Sequence, residues 1–189
     1  MPLRINFGLF PREFGISPYE NADLSQSRES LGAAAAFFGF ETRFEIQLYF
    51  TSPESVTEIR RGQKDAFKII LCAKETLTQQ SSKQKRLRLI VSNHDLFANG
   101  MNFVFGLADA DLGIGVVSTY RLTRWVEDLT PSKIQERIFK ESAHEIGHLV
   151  GLQHCQNESC MMSFSENIAQ VDSKLPLLCK DCSRRVGQR

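Results

Sequence analysis

Three of the four histidines in this chain fall within eleven residues, in the run HEIGHLVGLQH, at His144, His148 and His154. Residues four apart share one face of a helix, so the imidazoles of His144 and His148 can reach a single ion. Glu145 lies in the same turn, where its carboxylate can contact a water on that ion. Gly151 comes three residues after His148; a residue able to take positive φ there stops the helix, turns the chain sharply and returns His154 as a third ligand. Three neutral imidazoles leave a tetrahedral zinc one open position, which separates a catalytic site from a closed structural one. The bland alternative makes these capping or surface histidines and Glu145 a solvated carboxylate. It suits a bare HExxH, but leaves the glycine and the third histidine at the required places unexplained. His94, between a strand and Asp95 with no companion histidine, reads as a loop or hydrogen-bonding residue.

Four of the five cysteines lie in the last 35 residues as C-x4-C-x18-C-x2-C: Cys155, Cys160, Cys179 and Cys182. Two chelating pairs separated by a loop suit one tetrahedral thiolate zinc, closed and therefore structural, which would organise a segment from Gln156 to Arg189 with little periodicity of its own. The alternative, two buried or disulfide-paired sets, needs an oxidising compartment. Cys155 directly follows His154, so the two metals would be neighbours and the structural site could set the position of the third histidine. Cys72, in a helix with Ile69, Ile70 and Leu71, reads as a small core residue. Met161 and Met162 could supply a soft apolar floor under the histidines, or simply fill core.

The elements that must position these groups are legible in outline. A chain of 189 residues, 42% apolar and 24% charged, is one globular domain. Lys plus Arg number 23 and Asp plus Glu 22, so no net field draws a nucleic acid. The basic stretch Lys83 to Arg88 and the tail SRRVGQR read as solvated charged surface. The longest near-continuous apolar run, Ala33 to Phe40, is 8 residues, too short to span a membrane. The N-terminal residues lack the order of a secretory signal, and a cytoplasmic monomer is expected. Alternation at Leu3, Ile5, Phe7 and Leu9 predicts a strand, and so do Phe44, Ile46, Leu48, Phe50 and Leu87, Leu89, Val91. Helices are predicted from Ser25 to Phe38, stopped by Gly39, and from about Asp65 to Gln80. A third has Thr130 as N-cap, Pro131 at its first position and Gly151 as its stop. Strands and helices alternate, as in an α/β layer. Glycines at 100, 106, 113 and 115 mark strands with tight connections, among which Gly113 to Leu122 is expected to be an exposed edge able to pair with an extended peptide.

HEIGHLVGLQH resembles the extended zinc motif of the metzincin metalloproteases, and its continuation HCQNESCMM with the later CKDC resembles the archaemetzincins. In that family a cysteine follows the third histidine, another comes five positions later, a methionine two beyond that, and a CxxC closes the set. Cys155, Cys160, Met162, Cys179 and Cys182 occupy those places. The stretch NFVFGLADADLGIGVVSTYRL is similar to the family's strand region before the active-site helix, and the matches span about Asn93 to Cys182. The resemblance implies an α/β (α+β) metzincin-like fold: a mixed twisted sheet with helices, and a small zinc-stabilised C-terminal part. It implies one catalytic domain over 1–189, with an upper part to about 151 and a lower part over about 152–189. It also implies two zinc ions, one catalytic on His144, His148 and His154 and one structural on the four cysteines. Glu145 would be the general base, Met162 the Met-turn residue, and the reaction hydrolysis of a peptide or protein substrate. A competing class is a two-zinc scaffold that binds peptides without cutting them; the presence of Glu145 favours the enzyme. The tyrosines are 19, 49 and 120, and no histidine follows His154. Oxyanion stabilisation is therefore expected from zinc or from a backbone N–H of the Gly113 to Leu122 strand, with Tyr120 as the upstream alternative.

Overall fold

The computed structural model describes residues 12–45, 57–58, 61–79, 86–124 and 129–187. A five-stranded sheet has the order β2-β1-β5-β9-β8, built from β1 (Glu13–Pro18), β2 (Glu41–Phe44), β5 (Leu87–Ser92), β8 (Gly106–Asp109) and β9 (Ile114–Ser118). The first four strands in that order pair in parallel, and β8 closes the series as an antiparallel edge on β9. A smaller sheet, β3-β4-β6-β7, joins Thr57–Glu58, Gln63–Asp65, Leu96–Ala98 and Met101–Val104.

Parallel central strands are buried on both faces, and β5 and β9 are buried along their whole length. Alternate side chains of these strands divide the interior in two. Ile16, Leu89, Val91 and Val117 pack with α1 (Arg28–Phe37) and α3 (Pro131–Leu149), whereas Ile90, Ile114 and Val116 pack with α2 (Ala66–Gln79). The result is a helix–sheet–helix sandwich whose site-bearing helix, α3, shares a face with α1. Phe37 of α1 meets Phe139 of α3 edge to face, with ring centroids 6.0 Å apart.

The expected helices are present. Gly39, at φ 83°, follows α1, and α2 begins at Ala66 after Asp65 accepts the backbone N–H groups of Phe67 and Lys68. Leu87 to Val91 forms the predicted strand. Of the strand predicted through Phe44, Ile46, Leu48 and Phe50, Phe44 is found as the last residue of β2; Ile46, Leu48, Phe50 and the strand at Leu3 to Leu9 lie outside the described residues.

One expectation is corrected. The segment after Gly113 is not an edge: β9 lies between β5 and β8, and its residues Ile114 to Ser118 are all buried. Among the described residues the edge is β8, the preceding strand of the same hairpin. Its backbone register is informative, because Ser118 N–H donates to Phe105 O at 2.8 Å and the paired residues continue Leu107 with Val116 and Asp109 with Ile114. Hydrogen-bonded and non-bonded pairs alternate in an antiparallel ladder, so the backbone groups of Gly106 and Ala108 face away from β9.

Candidate metal centre and active site

Thr130 caps α3 as predicted: its backbone is extended and its Oγ1 accepts the N–H of Lys133 at 3.3 Å. The far end closes in a Schellman motif, with Gly151 N–H to His148 O at 2.8 Å and Leu152 N–H to Gly147 O at 2.9 Å. Gly151 supplies the left-handed residue at φ 87°. That turn does more than end the helix, because it sets the Leu152 carbonyl 2.8 Å from His148 Nδ1. A carbonyl only accepts, so Nδ1 carries the hydrogen and Nε2 keeps its lone pair. His144 is fixed in the same tautomer by Met161 O, 2.9 Å from its Nδ1.

The two bare nitrogens, His144 Nε2 and His148 Nε2, face each other at 3.1 Å. Two lone pairs at that distance call for an electrophile between them, and about 3.3 Å is the ligand–ligand edge of a tetrahedron with zinc–nitrogen bonds near 2.05 Å. His154 completes the set, its ring centroid 5.3 Å from that of His144 and 4.7 Å from that of His148. The donor set therefore fits zinc. Burial, aided by the charge of Lys174, holds the His144 imidazole well below its usual pKa, and burial lowers His148 and His154 as well, which keeps all three in the ligating neutral form.

Glu145 is buried at 4% exposure beside these rings. It fits because β8 begins with glycine: a Cβ on Gly106 would stand 2.5 Å from Glu145 Oε1 and 2.7 Å from its Cδ and Cγ. Burial first, and then the Glu141 carboxylate, push the Glu145 pKa well above the usual carboxylate range, with Lys174 opposing. A carboxyl with that affinity for a proton is suited to take one and hand it on. Glu145 and the three histidines line a cleft of about 320 Å3 whose opposite wall is the open edge of β8. Tyr120 does not line it.

The four cysteines also converge. Cys155 and Cys179 Sγ are 3.7 Å apart, and all four sulfurs lie within 4.8 Å of one another. About 3.8 Å is the edge of a tetrahedral thiolate zinc site with 2.3 Å bonds, whereas a disulfide needs about 2.05 Å. The backbone N–H of Cys182, at the start of α5 (Lys180–Gly187), is the main cause holding the Cys179 thiol down to about 7. Burial pushes Cys160 and Cys182 up, so four thiolates together require a cation. The methionine turn joins the two clusters: Met161 O holds His144, Met162 O accepts the N–H of Cys155 at 2.9 Å, and a Cβ on Gly147 would overlap Met162 Sδ.

Sequence reasoning missed the buried charges beneath the site. Arg137, 1% exposed, forms a two-pronged ion pair at 2.6 and 2.7 Å with Asp172 of α4 (Ile168–Ser173). Lys140 donates to the carbonyls of Val171 and Asp172, and Lys174 Nζ meets Glu141 Oε1 at 3.0 Å. Arg137, Glu141, His144 and His148 recur at steps of four, three and four on one helix face, a polar stripe that by sequence alone reads as solvated. His94 is the hydrogen-bonding residue expected, its Nε2 2.8 Å from Glu20 Oε2, and Cys72 packs at the margin of the second core.

Known proteins resemble this chain over most of its length. The model of peptidase family M54 matches residues 55–188. An archaemetzincin of Halobacterium salinarum is 37% identical over 139 residues, covering 71% of this chain and 77% of that protein. An archaemetzincin of Pyrococcus furiosus is 39% identical over 101 residues, and there the match spans about half the length of the relative, 53%. The crystal structure of archaemetzincin from Methanopyrus kandleri superposes with a TM-score of 0.77 at 29% identity, over 95% of this chain and 98% of that one. With its sheet, its zinc-fitting histidines and most of its length accounted for, this chain belongs to peptidase family M54.

Proposed function

We propose that this protein is a zinc-dependent metallopeptidase with a single catalytic domain, its upper part reaching to about residue 151 and its lower part following. His144, His148 and His154 hold the catalytic zinc, and Cys155, Cys160, Cys179 and Cys182 hold a second, structural one. When bound, the catalytic zinc supplies Lewis acidity for activating water and polarising a carbonyl. The remaining work falls to the chain itself.

A substrate strand adds to the edge of β8, where Gly106 and Ala108 present backbone groups away from β9. This pairing lays a peptide bond across the histidines. Glu145 takes the proton of the attacking water and passes it to the departing amine. Its tight seat against Gly106 fixes the carboxylate at one position during that exchange. The edge that donates N–H groups toward a developing oxyanion is β8 and not the segment after Gly113.

The buried Glu145 carboxylate beside three converging imidazoles, two of them tautomer-fixed, carries this reading. The test is cleavage of a mixed peptide library by the zinc-replete protein and by Glu145→Gln. Cleavage by the first and a loss of at least about a hundredfold in the second supports a base. No cleavage with both metals bound would turn the reading into a peptide-binding scaffold.

A further inference from the structure

Glu141 is a buried carboxylate that this mechanism does not use. It lies one turn before Glu145, is 3% exposed, and nevertheless lines the cleft. Its Oε1 accepts from Lys174 Nζ at 3.0 Å, and no other partner is found for it among the described residues. Lys174 is 1% exposed at its side chain and does not reach the cleft, so it stands behind the carboxylate and braces it. Among the described residues that line the cleft, Glu141 and Glu145 are the only ionisable groups apart from the histidines, and none is Lys or Arg. The rest of the wall is largely apolar, with Phe103, Phe105, Leu107 and Phe164 among it.

We infer that Glu141 is a specificity-determining residue, selecting substrates that carry a lysine or arginine side chain close to the scissile bond. The inference rests on the metallopeptidase reading for its reaction but not for its recognition. A long basic side chain lays its methylene stem on apolar walls and offers its cationic end to a carboxylate. The entering cation would touch Glu141 directly, while Lys174 lies on the far side of the same carboxylate, so the nearer charge dominates. An acidic side chain at that position would instead meet the Glu141 carboxylate with like charge.

The test separates recognition from catalysis. Hexapeptides that differ at one position, carrying lysine, norleucine or glutamate, are scanned across that position and titrated by fluorescence anisotropy into zinc-loaded Glu145→Gln protein. Lysine should bind roughly ten- to a hundredfold tighter than norleucine at one position, the effect of a hydrogen bond to a charged group, and glutamate weakest. In Glu145→Gln/Glu141→Gln the lysine-to-norleucine ratio should fall close to one. The same collapse is expected when Glu141→Met and Lys174→Met are combined on that background, which leaves no buried charge unpaired. Equal binding of lysine and norleucine, a preference that survives both variants, or no peptide binding at all would each overturn the inference. Lysine-selective binding without cleavage by the native enzyme would keep it and remove the metallopeptidase reading instead.

Discussion

Replacing Gly106 with alanine tests the seat of the general base more sharply than removing the base does. The added Cβ would lie 2.5 Å from Glu145 Oε1, and ordinary contact begins near 3.4 Å, so the carboxylate must retreat by about 0.9 Å. Gly106 has no positive φ, so alanine adds no backbone strain at that position. The obstacle is the Glu145 side chain from Cγ outward, with no backbone atom among the nearest contacts, so the fold should survive while the carboxylate is displaced. A displacement near 1 Å in a catalytic constellation lowers turnover by roughly a hundredfold, or about 2.7 kcal/mol of transition-state stabilisation. Steady-state kinetics on a fluorogenic peptide should show the loss in kcat, with zinc content unchanged by elemental analysis and thermal stability close to that of the native chain. Undiminished kcat in a folded, fully metallated Gly106→Ala variant would show that the position of Glu145 against β8 has no bearing on the reaction.

Other consequences are testable on stability alone. Asp172→Ala strands Arg137 in a buried position and should cost about 3 kcal/mol in urea unfolding, the low end for breaking a buried pair because Asp172 is 24% exposed at its side chain; Arg137→Met with Asp172→Ala should recover part of it. Thr130→Ala removes the cap of α3 and should cost about 1 kcal/mol by the same measurement. Acid should destabilise the metal-stripped protein. Burial holds the three site histidines below the usual 6.5, so the unfolded chain takes up protons there that the folded chain refuses. Their contribution is complete above 6.5 and declines as pH falls below it. Glu145, held above 4.5, works in the opposite sense, since the folded chain binds its proton first; one such group against three leaves the net slope destabilising toward acid. A melting temperature that stays flat from about pH 7.5 to 5 after chelation would contradict that balance.

Local spacing made the site legible. The N-cap, the proline, the histidine pair and the glycine stop of α3 are short-range features, and each is found where the residues put it. The cysteines converge for the same reason, since two chelating pairs need only one loop to meet. Strand order is a long-range property that periodicity does not encode, and here it reversed the roles of β8 and β9. A clue lay in the composition: Ile114, Val116 and Val117 give an almost continuous apolar run, which suits a central strand, while Gly106 to Asp109 does not. The charged residues of α3 were harder. Arg137, Lys140 and Glu141 look like a solvated face, and only the return of the chain at Asp172 and Lys174 buries them. Gly106 could not be singled out from sequence, because its importance lies in what Glu145 occupies across 39 residues of chain.

The central claim is that the three histidines and the four cysteines are two separate zinc sites, one of them the reaction centre. Zinc per chain, measured by elemental analysis after extensive dialysis, tests it most directly. The account predicts two ions in the native protein, one in His144→Ala/His148→Ala, and one in Cys179→Ser/Cys182→Ser, with peptide cleavage lost in the histidine variant. A histidine variant that still holds two zinc ions, or one that still cleaves, would contradict it.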